Sequence, residues 1–265
     1  MPSLILVPLF FAVTLGASFG SFANVFLHRF PQGLSLFDPP SRCPHCGHAV
    51  RWRHNVPVLG WLWLRGRCRD CGESIGARYV LVELAFTALP AAVILSFGFG
   101  LRSWIYAALL EGLLLAALAD WQTQYLYDAI TLPLAALGLF ASVLFPGLLG
   151  GRWASALAMA GMLATMAALQ ALGRWLAGRD ALGGGDVKLM VAAAGFLGWP
   201  QAWLALLLGS LLGLPLMWLY RHWHGGDWKD PAPFGPALAL GCGLAAWDLM
   251  GGAPHLAIWL GFGPT

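Results

Sequence analysis

Cys43, Cys46, Cys68 and Cys71 form two Cys-x2-Cys pairs with 21 residues between them. Gly47 and Gly72 stand directly after the second cysteine of each pair and suit a tight knuckle. Four thiolates at this spacing are expected to hold one tetrahedral zinc ion. Because they fill every coordination position and leave none for a catalytic water, the metal's role is structural. Two disulfides are the competing reading, and the compartment decides between them, since disulfides rarely persist where thiols are kept reduced. His45, His48 and His54 share the segment and are expected on its solvated surface. Cys242 lies in an apolar run and reads as a small buried side chain.

Carboxylates are scarce, nine Asp and three Glu in 265 residues, so each one near an apolar run asks for a reason. Asp120 closes the third run, and Asp186 follows Gly183, Gly184 and Gly185 at the start of the sixth. Two carboxylates brought together at a water-accessible membrane face can share one proton, one activating water and the other protonating a scissile carbonyl oxygen. The glycines would remove bulk where backbone must turn and a substrate chain must pass. The alternative is two ordinary interfacial charges, with Asp186 also serving as the anion at a helix N-terminus. Asp128 reads as the cap of the fourth run. Glu83 and Glu111, inside the second and third runs, would pair with an Arg of the polar loop or stay neutral. Asp248, near the end of the last run, is expected to reach water.

The elements that must position these groups are membrane helices. With 59% hydrophobic and 10% charged residues and a mean hydropathy of +0.70, the chain carries more apolar surface than a soluble fold can hide. Apolar stretches lie at about 4–27, 79–98, 103–119, 129–149, 153–177, 187–199, 201–220 and 233–250, predicting an all-α polytopic protein with about eight transmembrane helices. The pair around Gly198, Trp199 and Pro200 is either two spans or one broken helix. The first run lacks the basic flank and shortness of a signal peptide and reads as a retained helix. The expected organisation is a first helix at 1–28, a zinc-binding loop at 29–78 and a transmembrane core at 79–265.

Alternating the spans puts thirteen of the fifteen Lys and Arg on the side of the 29–78 loop, including Arg179 and Lys229, and leaves only Arg102 and Arg152 opposite. Positive charge accumulates on the cytoplasmic side. The zinc-ribbon-like loop and both aspartates are therefore expected there, in a reducing compartment that favours zinc over disulfides.

Several fragments stand in a telling order. Gly20-Ser21-Phe22-Ala23-Asn24-Val25 ends the first run, with Arg29 and Pro31 after it. Asn55-Val56-Pro57-Val58-Leu59-Gly60-Trp61 leads through Arg65-Gly66-Arg67-Cys68 to Cys71, Ile75, Arg78-Tyr79 and Leu81-Val82-Glu83-Leu84. Gly183-Gly184-Gly185-Asp186-Val187-Lys188-Leu189 fits a Gly-x-Gly-Asp-x-Lys-Leu motif, and Pro233-Phe234-Gly235-Pro236 precedes the last run. In this order, over nearly the whole chain, the sequence resembles the bacterial type IV prepilin peptidases.

That resemblance implies a membrane-embedded aspartic peptidase of the bacterial inner membrane. It would cleave the leader from type IV prepilins and related type II secretion pseudopilins, then methylate the new N-terminus with S-adenosylmethionine. By the family's motifs, the catalytic pair is Asp120 and Asp186. The chain departs from relatives that carry a second Asp two residues on and a Pro-Asp pair further along; here stand Gln122 and Tyr127-Asp128. No G-x-G-x-x-G fingerprint between strand and helix is present, so methyl transfer would use a pocket built from the loop and helix ends, whose residues the sequence does not name. Expected partners are the pilin substrates and the lipid bilayer, with no nucleic acid. Two other classes compete: a nonenzymatic, zinc-containing membrane assembly factor, and a proton-coupled transporter. For the transporter no internal repeat is evident.

Overall fold

Long apolar runs in lipid can satisfy their backbone only internally, and helices are the local way to do so. The structure, a computed structural model, describes residues 3–178, 182–224 and 232–251, which excludes Arg179 and Lys229 of the charge count. The helices are α1 Ser3–Arg29, the short α2 Leu59–Trp63, α3 Ala77–Phe97, α4 Leu101–Thr123, α5 Asp128–Leu144, α6 Ala154–Ala177, α7 Gly184–His224 and α8 Gly235–Met250. Among the described residues there are no strands beyond two isolated bridges. Five helices, α1, α3, α4, α6 and α7, are long and apolar enough to cross a membrane; α5 and α8 are apolar but shorter. Their outer faces carry large apolar side chains such as Phe10, Leu157 and Leu214, each more than 60% exposed, as contact with lipid allows.

The chain divides into two compact units, Met1–Phe99 and Gly100–Thr265. In the first, α1 packs on α3. The approach is close because α1 presents Gly16-x-x-x-Gly20. A Cβ at Gly16 would lie 2.4 Å from the Phe86 carbonyl oxygen, and one at Gly20 would lie 2.8 Å from Glu83 Cα. Without a hydrophobic force between helices in lipid, such small residues let backbones meet.

In the second unit α7 settles the question left open at Gly198. Forty-one residues of straight helix would extend about 60 Å, yet both ends of α7 meet the same end of α4. Asp186 interacts electrostatically with Asp120, and Gln124 Nε2 donates to the Tyr220 hydroxyl at 3.1 Å. The helix therefore folds back at Gly198, whose φ of 73° and ψ of 175° interrupt it. Its two limbs correspond to the sixth and seventh apolar runs of the sequence.

The reversal frees backbone carbonyls, and neighbouring helices satisfy them. Pro200 has no N–H to offer Phe196, so the Tyr106 hydroxyl of α4 donates to the Phe196 carbonyl at 3.0 Å. Ser155 of α6 donates to the carbonyl of Gly195. The second limb then packs tightly on α8, where a Cβ at Gly241 would lie 2.4 Å from the Ala205 carbonyl oxygen.

Two expectations about acidic groups change, and at Glu111 one of two alternatives falls away. Asp248 is buried at 1% exposure and does not reach water, because α8 turns it inward. Glu111 has no Arg partner, and its Oε1 is buried with no hydrogen-bond partner among the described residues. Asp128 starts α5, but its side chain makes no cap bond and instead accepts from Lys188 Nζ at 2.6 Å, tying α5 to the first limb of α7.

Candidate active site and metal centre

Asp120 lies in the last turn of α4 and is 5% exposed. Its Oδ2 accepts the backbone N–H of Gly235 at 2.8 Å, the first residue of α8. That donor is available because the first N–H groups of a helix have no partner within it. Asp186 lies three residues into α7, and its Oδ2 accepts the N–H of Gly183 at 3.3 Å, the back-reaching half of a capping box. Asp186 thus serves the helix N-terminus and also lies near enough to Asp120 for their charges to interact. Each carboxylate keeps one oxygen held by backbone, which fixes its orientation.

The glycines do something other than turn the chain. None of Gly183, Gly184 and Gly185 has a positive φ. A Cβ at Gly185 would lie 2.7 Å from Leu126 Cβ, and one at Gly183 would lie 3.1 Å from Asp186 Oδ2, whereas Gly184 faces open space. The role missed in the sequence belongs to Gly235, where a Cβ would lie 2.8 Å from Asp120 Oδ2 and 3.0 Å from its Cβ and Cγ. Gly235-Pro236 at a helix start was the available signal. Gly235→Ala is expected to displace the Asp120 carboxylate and to lower kcat of any reaction that this carboxylate carries about a hundredfold, as an ångström of misplacement does. A steady-state assay showing parental kcat would refute that account.

Aromatic groups close this end of the bundle. Trp121 meets Tyr220 edge-on at 5.1 Å between ring centroids and Trp223 at 6.5 Å. Such rings favour the level where hydrocarbon meets water.

In the first unit the two cysteine pairs are built as copies of one knuckle. Gly47 N–H donates to the Cys43 carbonyl and Cys43 N–H to that of His48; Gly72 and Cys68 repeat this with Cys68 and Glu73. Gly47 and Gly72 have φ of 70° and 74°, a conformation that penalises any side chain. Bridges Arg42 to Ala49 and Arg67 to Ser74 close each hairpin.

The four thiols converge to within 4.8 Å of one another, with Cys43 to Cys71 at 3.8 Å and Cys46 to Cys68 at 3.9 Å. A zinc ion bound to four sulfurs at about 2.3 Å spaces them about 3.8 Å apart, so the donor set fits a tetrahedral thiolate site. All four cysteines are free thiols in the structure, not disulfides. The backbone N–H groups of Cys46 and His45 lower the Cys43 thiol to about 6. Glu73 N–H acts the same way on Cys71, but desolvation and the neighbouring thiols push Cys71 up to about 12. The histidines are not in the cluster, and His54 Nε2 instead lies 3.3 Å from Arg69 Nη1. Cys242 is buried, its Sγ 3.7 Å from Met190 Sδ.

Glu83 is held by the loop, though not by an Arg. Its Oε2 accepts the N–H of Val58 at 2.7 Å.

Comparison with known proteins matches each unit to a family model. Residues 14–97 match the bacterial peptidase A24 N-terminal domain, and residues 104–218 match the type IV leader peptidase family. Similar proteins include the prepilin leader peptidase/N-methyltransferase of Burkholderia pseudomallei (strain K96243), 39% identical over 260 residues that cover 87% of this chain and 82% of the relative. The protein of the same description from Stutzerimonas stutzeri is 35% identical, covering 89% and 88%. That from Klebsiella pneumoniae is 40% identical, covering 74% and 87%. No solved structure matches the chain.

Proposed function

This chain belongs to the type IV leader peptidase family of enzymes, and we propose that it cleaves prepilin and pseudopilin leaders by an aspartic mechanism and then methylates the new N-terminus. The observation that carries the peptidase reading is the meeting of Asp120 and Asp186 at one end of the second unit, each oriented by a backbone N–H. With one proton between them, the ionised carboxylate removes a proton from water as it attacks the scissile carbonyl. The protonated partner donates to the carbonyl oxygen. As the C–N bond of the tetrahedral adduct breaks, the proton taken from water passes to the leaving amine, the new pilin N-terminus. The adduct's hydroxyl proton returns to the other carboxylate, and the leader departs with a free carboxyl end.

The relatives' description as N-methyltransferases supports the second activity, with S-adenosylmethionine as donor. Cys43, Cys46, Cys68 and Cys71 hold a structural zinc, which when bound cross-links the two knuckles and stiffens the 29–78 loop. The skew of Lys and Arg supports placement in the bacterial inner membrane with the loop and the aspartates on the cytoplasmic side.

Purified protein in bilayer nanodiscs, incubated with a full-length prepilin with and without S-adenosylmethionine and followed by intact-mass measurement, separates the two reactions. Loss of the leader alone is expected without the donor, and loss of the leader plus gain of one methyl group with it. An uncleaved prepilin would reject the peptidase reading. A cleaved but never methylated one would reject the methyltransferase.

A further inference from the structure

A cavity of about 400 Å³ lies within the first unit, at the size of a small-molecule site. The end of α1 (Ser21 and Asn24), the start of α3 (Tyr79 and Glu83) and the cysteine loop (with Trp61) line it. The loop is tied to the helix wall at Val58, whose N–H donates to Glu83 Oε2 at 2.7 Å. Within the loop Trp61 Nε1 donates to the Ile75 carbonyl at 3.1 Å, and Asn24 Nδ2 of α1 donates to the Tyr79 carbonyl of α3 at 2.9 Å.

Two features distinguish this cavity from a gap between helix and loop. Val58 is a β-branched residue at φ 61°, a conformation that persists only where its surroundings enforce it. Its N–H donates to Glu83. That carboxylate also lines the cavity, half-buried among apolar helix residues and with no ion pair among the described residues. Trp61 and Tyr79 add aromatic rings, whose faces attract cations. Arg29, Arg42, Arg51 and Arg69, four histidines, Asp70 and Glu73 also line the cavity. The Glu83 carboxylate with its aromatic neighbours suits a cationic group, and the guanidiniums suit a carboxylate. Methyl transfer to an N-terminus brings a primary α-ammonium and a sulfonium donor that carries a carboxylate.

We infer that this cavity is the methyl-transfer site and that Glu83 is its catalytic residue, receiving the α-ammonium of the newly exposed pilin N-terminus. The inference rests on the methyltransferase reading above. Glu83 first pairs with the ammonium and then takes one of its protons, leaving a neutral amine. The amine nitrogen forms a bond to the methyl carbon as the methyl–sulfur bond breaks, the bonding pair stays on sulfur, and a neutral thioether leaves. The product, a secondary ammonium, gives up its proton to water, and Glu83 returns its own to solvent.

Glu83→Gln tests the charge without cutting the fastening, because the amide oxygen still accepts from Val58. With a pre-cleaved pilin and S-adenosylmethionine at pH 7, methylation is expected to fall roughly ten- to hundredfold while leader cleavage keeps its parental rate. An α-amine loses its proton unaided above about pH 8. At about pH 9.5 the variant should therefore return to within about threefold of the parental protein assayed alongside.

A binding measurement without donor gives an independent readout. The parental protein should bind a short peptide with a free N-terminal Phe more tightly than its N-acetylated form, and Glu83→Gln should show no preference. A loss of methylation that alkaline pH does not restore, parental methylation in the variant, or equal preference for the free amine in both proteins would each overturn the role of Glu83. A parental protein that cleaves but never methylates overturns the methyltransferase reading itself and the inference with it.

Discussion

Asp120→Asn and Asp186→Asn are each expected to reduce leader cleavage roughly ten-thousand-fold, the upper range for loss of positioned acid–base chemistry. Asn is the informative replacement because its carbonyl can still accept the Gly235 N–H at position 120 or the Gly183 N–H at position 186. The helix ends therefore keep their hydrogen bonds, and only the shared proton and the general base are lost. Methylation of a pre-cleaved pilin should continue in both variants and serves as the folding control.

The same pair predicts a bell-shaped pH profile for cleavage by the parental protein. On the acid side both groups are protonated and none can activate water; on the alkaline side both are ionised and none can protonate the carbonyl oxygen. A well-folded Asn variant that cleaves at the parental rate, or activity that stays level into alkali while the fold persists, would remove the dyad.

Removal of the metal should separate the two activities. Two short knuckles with half-buried or exposed cysteines have no apolar core of their own, and a structural zinc can supply the folding free energy of such a module. Metal analysis should give about one zinc per chain, as a single four-coordinate site requires. Chelation, or Cys68→Ser, is expected to lower methylation about a hundredfold. Cleavage should fall less than about tenfold, since Asp120 and Asp186 belong to the other unit.

Proton linkage sets the sign of the pH effect on zinc. Thiols bind as thiolates, so uptake releases protons. Cys43, lowered to about 6, gives up its proton readily, whereas Cys71 at about 12 holds its own through neutral pH until a cation displaces it. Zinc occupancy should therefore rise with pH and fall on acidification, which a zinc-sensitive dye titration measures directly. Equal loss of both activities on chelation would contradict the division of labour, and a folded, metal-free loop with two disulfides would contradict the zinc.

Much of this molecule is local enough to read along the chain. Apolar run length determines where helices form in lipid, because a backbone without water must bond within its own segment. Cys-x2-Cys-Gly determines a knuckle within six residues, and the two copies of that pattern emerged as two copies of one hydrogen-bonded turn. The fold class and the convergence of Cys43, Cys46, Cys68 and Cys71 needed little beyond these local rules.

Facts about pairs distant in the chain were decided only by the tertiary structure. Gly198 could have kinked one long helix or reversed it. The choice depended on hydroxyls from Tyr106 and Ser155, remote in sequence, reaching the carbonyls at the reversal. Gly235 looked like the start of a helix, and its use as the donor to Asp120 across 115 residues had no local signature. Asp128, read as a cap, turned instead to Lys188, and Asp248 turned inward. Spacing along a chain specifies which face of its own helix a side chain takes, but the groups it meets there come from whichever helix packs against that face.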